Sequence, residues 1–205
     1  MSSIDIYRLA INSLHDKHPS FSYTRTPKAL SNSEIFFVFS LIYKYRPHAF
    51  FESGFYKGRS SLILLECLKQ MNFQIPYYIA VLHKKKQIHY MENSYPNLRV
   101  YYSPGEVAVQ KLNITQMGAL IDGPKIRKHR KVFSIYDHLL SNNASFICQH
   151  DLNVKNGNAK FRSYCKNKRK YKIKMLNKKF EKKFSYLDVP PRRRVAKCLG
   201  AIVEK

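Results

Sequence analysis

The chain has 205 residues, of which 37 are Lys or Arg and 13 are Asp or Glu, so its formal net charge is +24. A hydrophobic fraction of 44% and an aromatic fraction of 14% are ordinary for a globular domain, and they exclude a disordered chain despite the charge. No apolar run approaches the roughly 20 residues that a membrane-spanning helix needs. The N-terminus lacks the pattern of a secretory signal, and the four cysteines form no C-x-x-C pair, so we expect a reduced, cytoplasmic protein.

The predicted secondary structure begins with two helices, over residues 3–15 and 31–45. We treat residues 1–45 as an N-terminal helical segment, which could be a lid over a ligand site or a dimerisation surface. Glu34 falls in the first turn of the second helix, where a negative charge favours the helix start. The candidate capping residues for that helix are Ser31 and Ser33.

After residue 45 the chain alternates between short apolar runs and longer amphipathic stretches. The predicted strands lie at residues 48–53, 77–82, 98–102, 117–121 and 144–149. The predicted helices between them lie at residues 59–71, 84–94, 105–113 and 128–142. Strands alternating with helices indicate βαβ units and a parallel sheet in an α/β fold. Residues 184–189 and 198–203 are two further strand-like runs, which we expect to pair as a terminal antiparallel hairpin.

The positive charge is concentrated at the end of the chain. Residues 151–205 hold 18 basic and 4 acidic residues, and the densest part is a predicted basic insertion at about 155–183. Such blocks attract polyanions, and the interleaved aromatic residues could stack on bases, although a solvated surface is the plain alternative. The candidate polyanion-binding residues are Lys168, Arg169, Lys170, Lys172, Lys178, Lys179, Arg192, Arg193 and Arg194.

The first motif follows the first predicted strand. The strand runs into Glu52, then Gly54, and Gly58 stands four residues later at the start of a predicted helix. Gly54 permits a tight turn and Gly58 permits close approach of the backbone to a ligand. The N-terminus of the helix offers free N–H groups to an anion. An ordinary strand-to-helix turn is the alternative to a ligand-binding loop.

Two further strands end in ionisable residues. Asp122 ends the fourth strand, and His150 with Asp151 ends the fifth. Ligands of a doubly wound sheet bind beyond the carboxyl ends of its strands, so we expect these residues to share a crevice with Gly54. They could hold a divalent cation or act as an acid–base group, whereas a lone aspartate at a strand end more often caps the next loop.

The order E-x-G-x-x-x-G-x-S, I-D-G-P-K, H-D and a terminal hairpin resembles class I S-adenosylmethionine-dependent methyltransferases. The similarity is greatest to the small bacterial and viral branch with I-D-G after the fourth strand and H-D after the fifth, and it covers about residues 45–205. It implies that residues 46–205 form a Rossmann-like, doubly wound domain with seven strands in the order 3-2-1-4-5-7-6, strand seven antiparallel. It also implies S-adenosylmethionine as cofactor. The candidate cofactor-binding residues are Glu52, Gly54, Tyr56, Gly58, Ser60 and His83.

The resemblance also implies catalytic residues. It places Asp122, His150 and Asp151 near the transferred methyl group, where related O-methyltransferases bind a divalent metal that would here have Asp122 and Asp151 as ligands. Lys125 is a further catalytic candidate, because RNA ribose methyltransferases use lysines beside an aspartate to activate a hydroxyl. A solvated loop lysine is the alternative for Lys125.

The chain departs from the family pattern after the second strand. Family members usually carry an acidic residue there that binds the ribose hydroxyls, whereas this chain has His83 followed by Lys84, Lys85 and Lys86. A carboxylate accepts two hydroxyl hydrogen bonds, and a neutral histidine accepts one. The alternatives are a degenerate enzyme that has lost the cofactor, or a pocket that prefers a phosphate-bearing ligand.

Two functions are therefore consistent with the sequence. The first is S-adenosylmethionine-dependent O-methyl transfer to an anionic or hydroxyl-bearing acceptor, such as RNA or a phosphorylated sugar. The second is a catalytically inactive, methyltransferase-like module that binds RNA, DNA or another polyanion through its basic C-terminal segment. The sequence leaves the oligomeric state open.

Overall fold

The computed structural model of the chain describes residues 1–17, 29–124, 126–153, 156–166, 168, 170–176, 178–187 and 199–204. Its strands are β1 (Ala49–Ser53), β2 (Tyr77–Ala80), β3 (Leu98–Tyr101), β4 (Met117–Ile121), β5 (Phe146–Gln149), β6 (Tyr171–Met175) and β7 (Gly200–Glu204). Its α-helices are α1 (Ser3–Lys17), α2 (Asn32–Tyr45), α3 (Arg59–Gln70), α4 (Lys86–Ser94), α5 (Gly105–Ala108), α6 (His129–Ser141), α7 (Gly157–Lys166) and α8 (Lys178–Phe184). Short 3-10 turns follow at Val109–Lys111, Ile126–Lys128 and Ser185–Leu187.

The seven strands form one sheet in the order β3-β2-β1-β4-β5-β7-β6. Strands β1 to β5 are mutually parallel, and β7 runs antiparallel to both of its neighbours. Every residue of β1, β4 and β5 is buried, as expected for central parallel strands that helices cover on both faces. The predicted Rossmann-like, doubly wound fold and its strand order are confirmed.

The first strand of the terminal hairpin was predicted in the wrong place. Residues 178–184 form α8 and residues 185–187 a 3-10 turn, so the predicted strand at 184–189 is absent from its described part. The strand that pairs with β7 is β6, which lies inside the predicted basic insertion. Apolar residues alternate with lysines along this edge strand, and Lys172 is exposed whereas its two neighbours are half-buried. This is the pattern of a half-buried strand, but it lies within a longer run of lysines that was interpreted only as charge.

The core has one hydrophobic cluster on each face of the sheet. Successive strand residues point to opposite faces, so Phe50 belongs to one cluster and Phe51 to the other. Helix α1 packs on the Phe50 face through Tyr7 and Leu14, both fully buried. The buried Glu66 of α3 also accepts a hydrogen bond from Lys17 Nζ at 3.0 Å. The N-terminal helices therefore share their core with the sheet.

Two expectations from the composition concern the state of the cysteines and the presence of a membrane-spanning helix. Cys67, Cys148 and Cys165 are buried free thiols, and Cys198 lies outside the described residues. Among the helices that the structure describes, none has the length and apolar character needed to span a membrane.

Candidate active site

A cavity of about 480 Å³ lies beyond the carboxyl ends of the central strands. Its walls come from four loops, over residues 53–56 after β1, 80–85 after β2, 103–106 after β3 and 122–124 after β4, together with the start of α6. The chain leaves β1 and β4 toward opposite sides of the sheet, so the cavity occupies the topological switch point where doubly wound folds bind ligands.

Close backbone contacts fix the floor of this cavity. Gly54 has φ of 97°, and a Cβ atom there would stand 2.8 Å from the backbone nitrogen of Gly123. Ser53 O accepts hydrogen bonds from the N–H groups of Asp122 (2.9 Å) and Gly123 (2.8 Å). Only glycine combines this left-handed conformation with so close an approach. The loops after β1 and β4 are therefore held together, with Asp122 beside Gly54.

Glu52 lies beneath the loop rather than in the cavity. Its fully buried carboxylate accepts hydrogen bonds from the hydroxyls of Ser60 (2.7 Å), Ser61 (2.6 Å) and Tyr77 (2.7 Å). Burial raises the pKa of Glu52 to about 7, since a carboxylate loses its hydration there. Glu52 thus ties β1 to α3 and β2.

The predicted cofactor residues therefore fall into two groups. Gly54, Tyr56 and His83 line the cavity. Glu52, Ser60 and Gly58 shape the loop from behind it; Gly58 is the left-handed residue before α3, where a side chain would collide with the Phe55 ring. Gly105 and Glu106, which follow β3, complete the cavity wall.

Asp122 faces the cavity and is held from behind by His150. His150 Nδ1 lies 2.7 Å from Asp122 Oδ1, and its Nε2 lies 3.6 Å from Glu34 Oε1. Burial of the imidazole opposes its protonation, but the hydrogen bonds and negative charges of Asp122 and Glu34 outweigh that effect and raise the pKa of His150 to about 10. His150 is therefore an imidazolium between two carboxylates at neutral pH.

Glu34 is a site residue that the sequence identified only as a helix-start residue. Ser31 caps α2 in a capping box, with Glu34 Oε2 accepting from the Ser31 backbone N–H at 2.7 Å. The other oxygen of Glu34 faces His150. The capping pattern was visible in the sequence, but no local signal connects α2 to the end of β5.

The residues predicted to hold a metal do lie together. Asp122, His150 and Asp151 each bring a possible ligand atom within 4.8 Å of the other two. However, His150 Nδ1 lies at hydrogen-bonding distance from Asp122 Oδ1, 2.7 Å, and the raised pKa of His150 favours the imidazolium, whose Nδ1 has no lone pair for a metal. Magnesium and calcium take six or more oxygen ligands, and this set offers two carboxylates and a protonated imidazole. The arrangement fits an internal ion pair better than a divalent metal site.

Basic side chains surround the cavity. Lys85 Nζ donates to the backbone oxygen of Tyr56 at 2.6 Å, which links the loops after β1 and β2. Lys131 pairs with Glu106 at 2.7 Å, and this contact keeps the pKa of Glu106 below its ordinary value although burial opposes it. Lys128 lines the cavity as an exposed cation. Lys128 and Lys131 were not predicted as site residues, and Lys125 lies outside the described residues.

The described candidates on and just before β6, which are Lys168, Lys170 and Lys172, lie away from the cavity. Lys170 Nζ donates to Asn143 Oδ1 (3.4 Å) just before β5, at the amino edge of the sheet, while the cavity is at the carboxyl edge. Strand β6 is three places from β4, or about 14 Å at the usual strand spacing. Lys168 pairs with Asp137 at 3.3 Å, and Lys172 and Lys179 are exposed. The candidates whose side chains lie outside the description are Arg169, Lys178, Arg192, Arg193 and Arg194.

Comparison with known proteins supports the fold. No protein-family model and no curated protein sequence matches the chain. A methyltransferase of Podospora anserina solved with S-adenosylhomocysteine (SAH) aligns with a TM-score of 0.58 at 11% identity, over 99% of this chain and 87% of that one. A Staphylococcus aureus protein provisionally assigned as a caffeoyl-CoA O-methyltransferase gives 0.58 at 12% identity, over 98% and 97%.

A third solved methyltransferase also aligns with this chain. An rRNA methylase of Streptococcus thermophilus aligns with a TM-score of 0.52 at 9% identity, over 80% of this chain and 93% of that one. Identities this low establish architecture rather than activity. The strand order, the cavity at the switch point and these alignments agree: the chain has the fold of the class I S-adenosylmethionine-dependent methyltransferases.

Proposed function

We propose that the chain is an S-adenosylmethionine-dependent methyltransferase that methylates a hydroxyl oxygen of an anionic acceptor. The observation that carries the proposal is the cavity between Gly54 and Asp122 at the β1/β4 switch point. Its volume lies within the range of about 300–1,000 Å³ that small-molecule sites occupy. Solved relatives of this fold include a methyltransferase bound to SAH. The narrower I-D-G and H-D branch stays a prediction.

The cavity residues fit this cofactor. Gly54 leaves room for the methionine end beside the backbone, and residues 103–106 would enclose the adenine. Glu106 would accept a hydrogen bond from the adenine amino group, and His83 would lie beside the ribose hydroxyls. When bound, the cofactor supplies a sulfonium methyl group that a nucleophilic oxygen can accept.

Asp122 would act on the acceptor. Its carboxylate, held by His150, can accept a hydrogen bond from the acceptor hydroxyl and stabilise the positive charge that this oxygen gains as the new C–O bond forms. The C–S bond to the cofactor breaks in the same step, and the hydroxyl proton passes through Asp122 to solvent. Positioning would provide much of the rate, because both reactants are held in one cavity.

Titration calorimetry with SAH tests the proposal. The wild-type chain should bind SAH at one site. Glu106→Gln should weaken binding about tenfold, since a hydrogen bond to a charged group contributes about 1.5–3 kcal/mol. Glu92→Gln is the matched control, because Glu92 is exposed on α4 and does not line the cavity. Absence of SAH binding by a folded wild-type chain would overturn the proposal.

The second candidate is a non-catalytic module that binds a polyanion through its basic C-terminal segment. It is favoured by the exposed Lys170 and Lys172 at the far edge of the sheet and by the exposed Lys179 on α8. This function requires no SAH binding, and it predicts polyanion affinity that falls when these lysines are neutralised.

A further inference from the structure

We infer that the acceptor is single-stranded RNA, and that the rim of the cavity, rather than the C-terminal basic segment, binds it. We define the rim as three cavity-lining residues, Tyr56, Leu82 and Lys128, together with the exposed residues next to the lining in sequence, which are Lys57, Lys84, Tyr102, Val107 and Arg130. The inference rests on the proposed function for the transfer step, but binding at the rim can be tested separately.

Exposed apolar side chains cluster at this rim. Eight large hydrophobic residues are exposed in the described part of the chain. Two of them, Tyr56 (42% exposed) and Leu82 (63%), line the cavity, and two more, Tyr102 (45%) and Val107 (42%), directly flank residues 103–106 of its wall. Exposed apolar groups concentrated in one place mark a binding surface, whereas single scattered ones need no explanation.

The loop that carries Tyr56 is held in an uncommon conformation. Tyr56 has φ of 39°, in the left-handed region that non-glycine residues seldom adopt. Lys85 Nζ donates to the carbonyl oxygen of this residue at 2.6 Å and so braces the loop. The ring nevertheless remains 42% exposed. The protein therefore fixes the backbone while leaving an aromatic face open at the cavity entrance.

Positive charge exceeds negative charge around these rings, although the Glu92 carboxylate lies near Tyr102 and that of Glu106 near Lys128. Lys57, Lys84, Lys128 and Arg130 are exposed, and Lys84 Nζ lies 5.7 Å from the centre of the Tyr102 ring. Among the described residues that line the cavity there are two carboxylates. Each is already in an ion pair: Glu106 with Lys131, and Asp122 with His150. The rim therefore keeps an excess of cations for an incoming anion.

Proteins usually bind a single nucleic-acid strand through exposed rings interleaved with cations, because the bases stack on the rings and the phosphates form ion pairs with the lysines. The bases of a duplex stack on one another and are not free to stack on these rings, whereas a single strand can bend so that its acceptor oxygen enters the cavity and reaches Asp122. The hydroxyl that recurs along such a strand is the ribose 2′-OH, which only RNA carries. These requirements together select single-stranded RNA.

Among its described residues the C-terminal basic segment carries one exposed ring, Tyr186 (51% exposed), whose centre lies 5.2 Å from the guanidinium of Arg8. Phe161 is fully buried, and Tyr164 is half-buried with its hydroxyl donating to Asp137 at 2.6 Å. Tyr171 is also half-buried and packs against the core. With a single exposed ring that already lies beside Arg8, this segment matches a single-strand binding site less well than the rim does.

Fluorescence anisotropy with a fluorescein-labelled oligouridine 12-mer tests the inference. The double variant Lys84→Gln/Lys128→Gln should weaken binding and reduce the salt slope by about 1.4, since each phosphate contact on a single strand contributes about 0.7. Tyr56→Ala/Tyr102→Ala should weaken binding about tenfold or more with the salt slope unchanged. The matched control Lys170→Gln/Lys172→Gln should change affinity less than twofold.

Three results would overturn the inference: no binding of the 12-mer, a loss confined to the Lys170/Lys172 variant, or equal affinity for a DNA duplex or polyglutamate. Titration of the same samples with SAH separates this inference from the proposed function. RNA binding without SAH binding would leave the rim assignment standing and remove the methyltransferase, and SAH binding without RNA binding would do the reverse.

Discussion

Replacing His83 by Asp restores the acidic residue that relatives use to bind the cofactor ribose. His83 lines the cavity just after β2 and is exposed. A carboxylate there can accept two hydroxyl hydrogen bonds where a neutral histidine accepts one. A hydrogen bond to a charged group contributes about 1.5–3 kcal/mol, and exposure of the site reduces this to about 1.4 kcal/mol, or about tenfold in affinity. His83→Asp should therefore bind SAH about tenfold more tightly than wild type.

Calorimetry on the wild type, His83→Asp and His89→Asp makes this comparison. His89 is exposed on α4 and does not line the cavity, so the control adds the same charge without touching the ligand. The control should leave the dissociation constant for SAH within about twofold of wild type. Unchanged or weaker binding by His83→Asp would refute the placement of the ribose beside residue 83.

Three further predictions concern buried ionisable groups and metal. The pKa of Glu52 rises from 4.5 to about 7 on folding, so its contribution to stability is full below pH 4.5 and is lost as the pH rises through 7. In urea unfolding, Glu52→Gln should remove a fall of about 3 kcal/mol between pH 4.5 and 8, and an equal fall in the variant would contradict this. The pKa of His150 rises from 6.5 to about 10, so its contribution is full below pH 6.5 and is lost as the pH rises through 10. His150→Gln should flatten the loss of stability between pH 8 and 10.5, whereas parallel curves would count against the buried ion pairs. Adding about 1 mM MnCl2 should leave the Tm within a degree, because a proton already joins His150 to Asp122; a rise of several degrees that Asp151→Asn abolishes would show that a metal does bind.

The sequence was sufficient to predict the five parallel strands, and most clearly the central strands β1, β4 and β5, whose largely apolar runs reflect burial on both faces. It misplaced the strand that pairs with β7 for a different reason. In β6 the lysines at positions 172 and 174 are the polar half of an apolar–polar alternation, but they continue a longer run of basic residues, so the alternation was not separated from the charge. Charge density in that segment suggested an insertion, whereas the segment supplies part of the sheet.

Parts of the candidate site depend on contacts that are distant in sequence. The capping box over Ser31 and Glu34 is a local pattern, but the approach of Glu34 to His150 follows from the packing of α2 beneath the end of β5. Likewise, the E-x-G motif does not distinguish Gly54, which lines the cavity, from Glu52, which supports the loop from below. Such assignments require the tertiary fold.

A crystal structure of the full chain with SAH tests the central claim most directly. The homocysteine end should lie beside Gly54 and Asp122, and the adenine should lie against residues 103–106. A chain that crystallises with SAH in excess but holds none in this cavity, or holds it elsewhere, would contradict the assignment of the cavity as a methyl-transfer site.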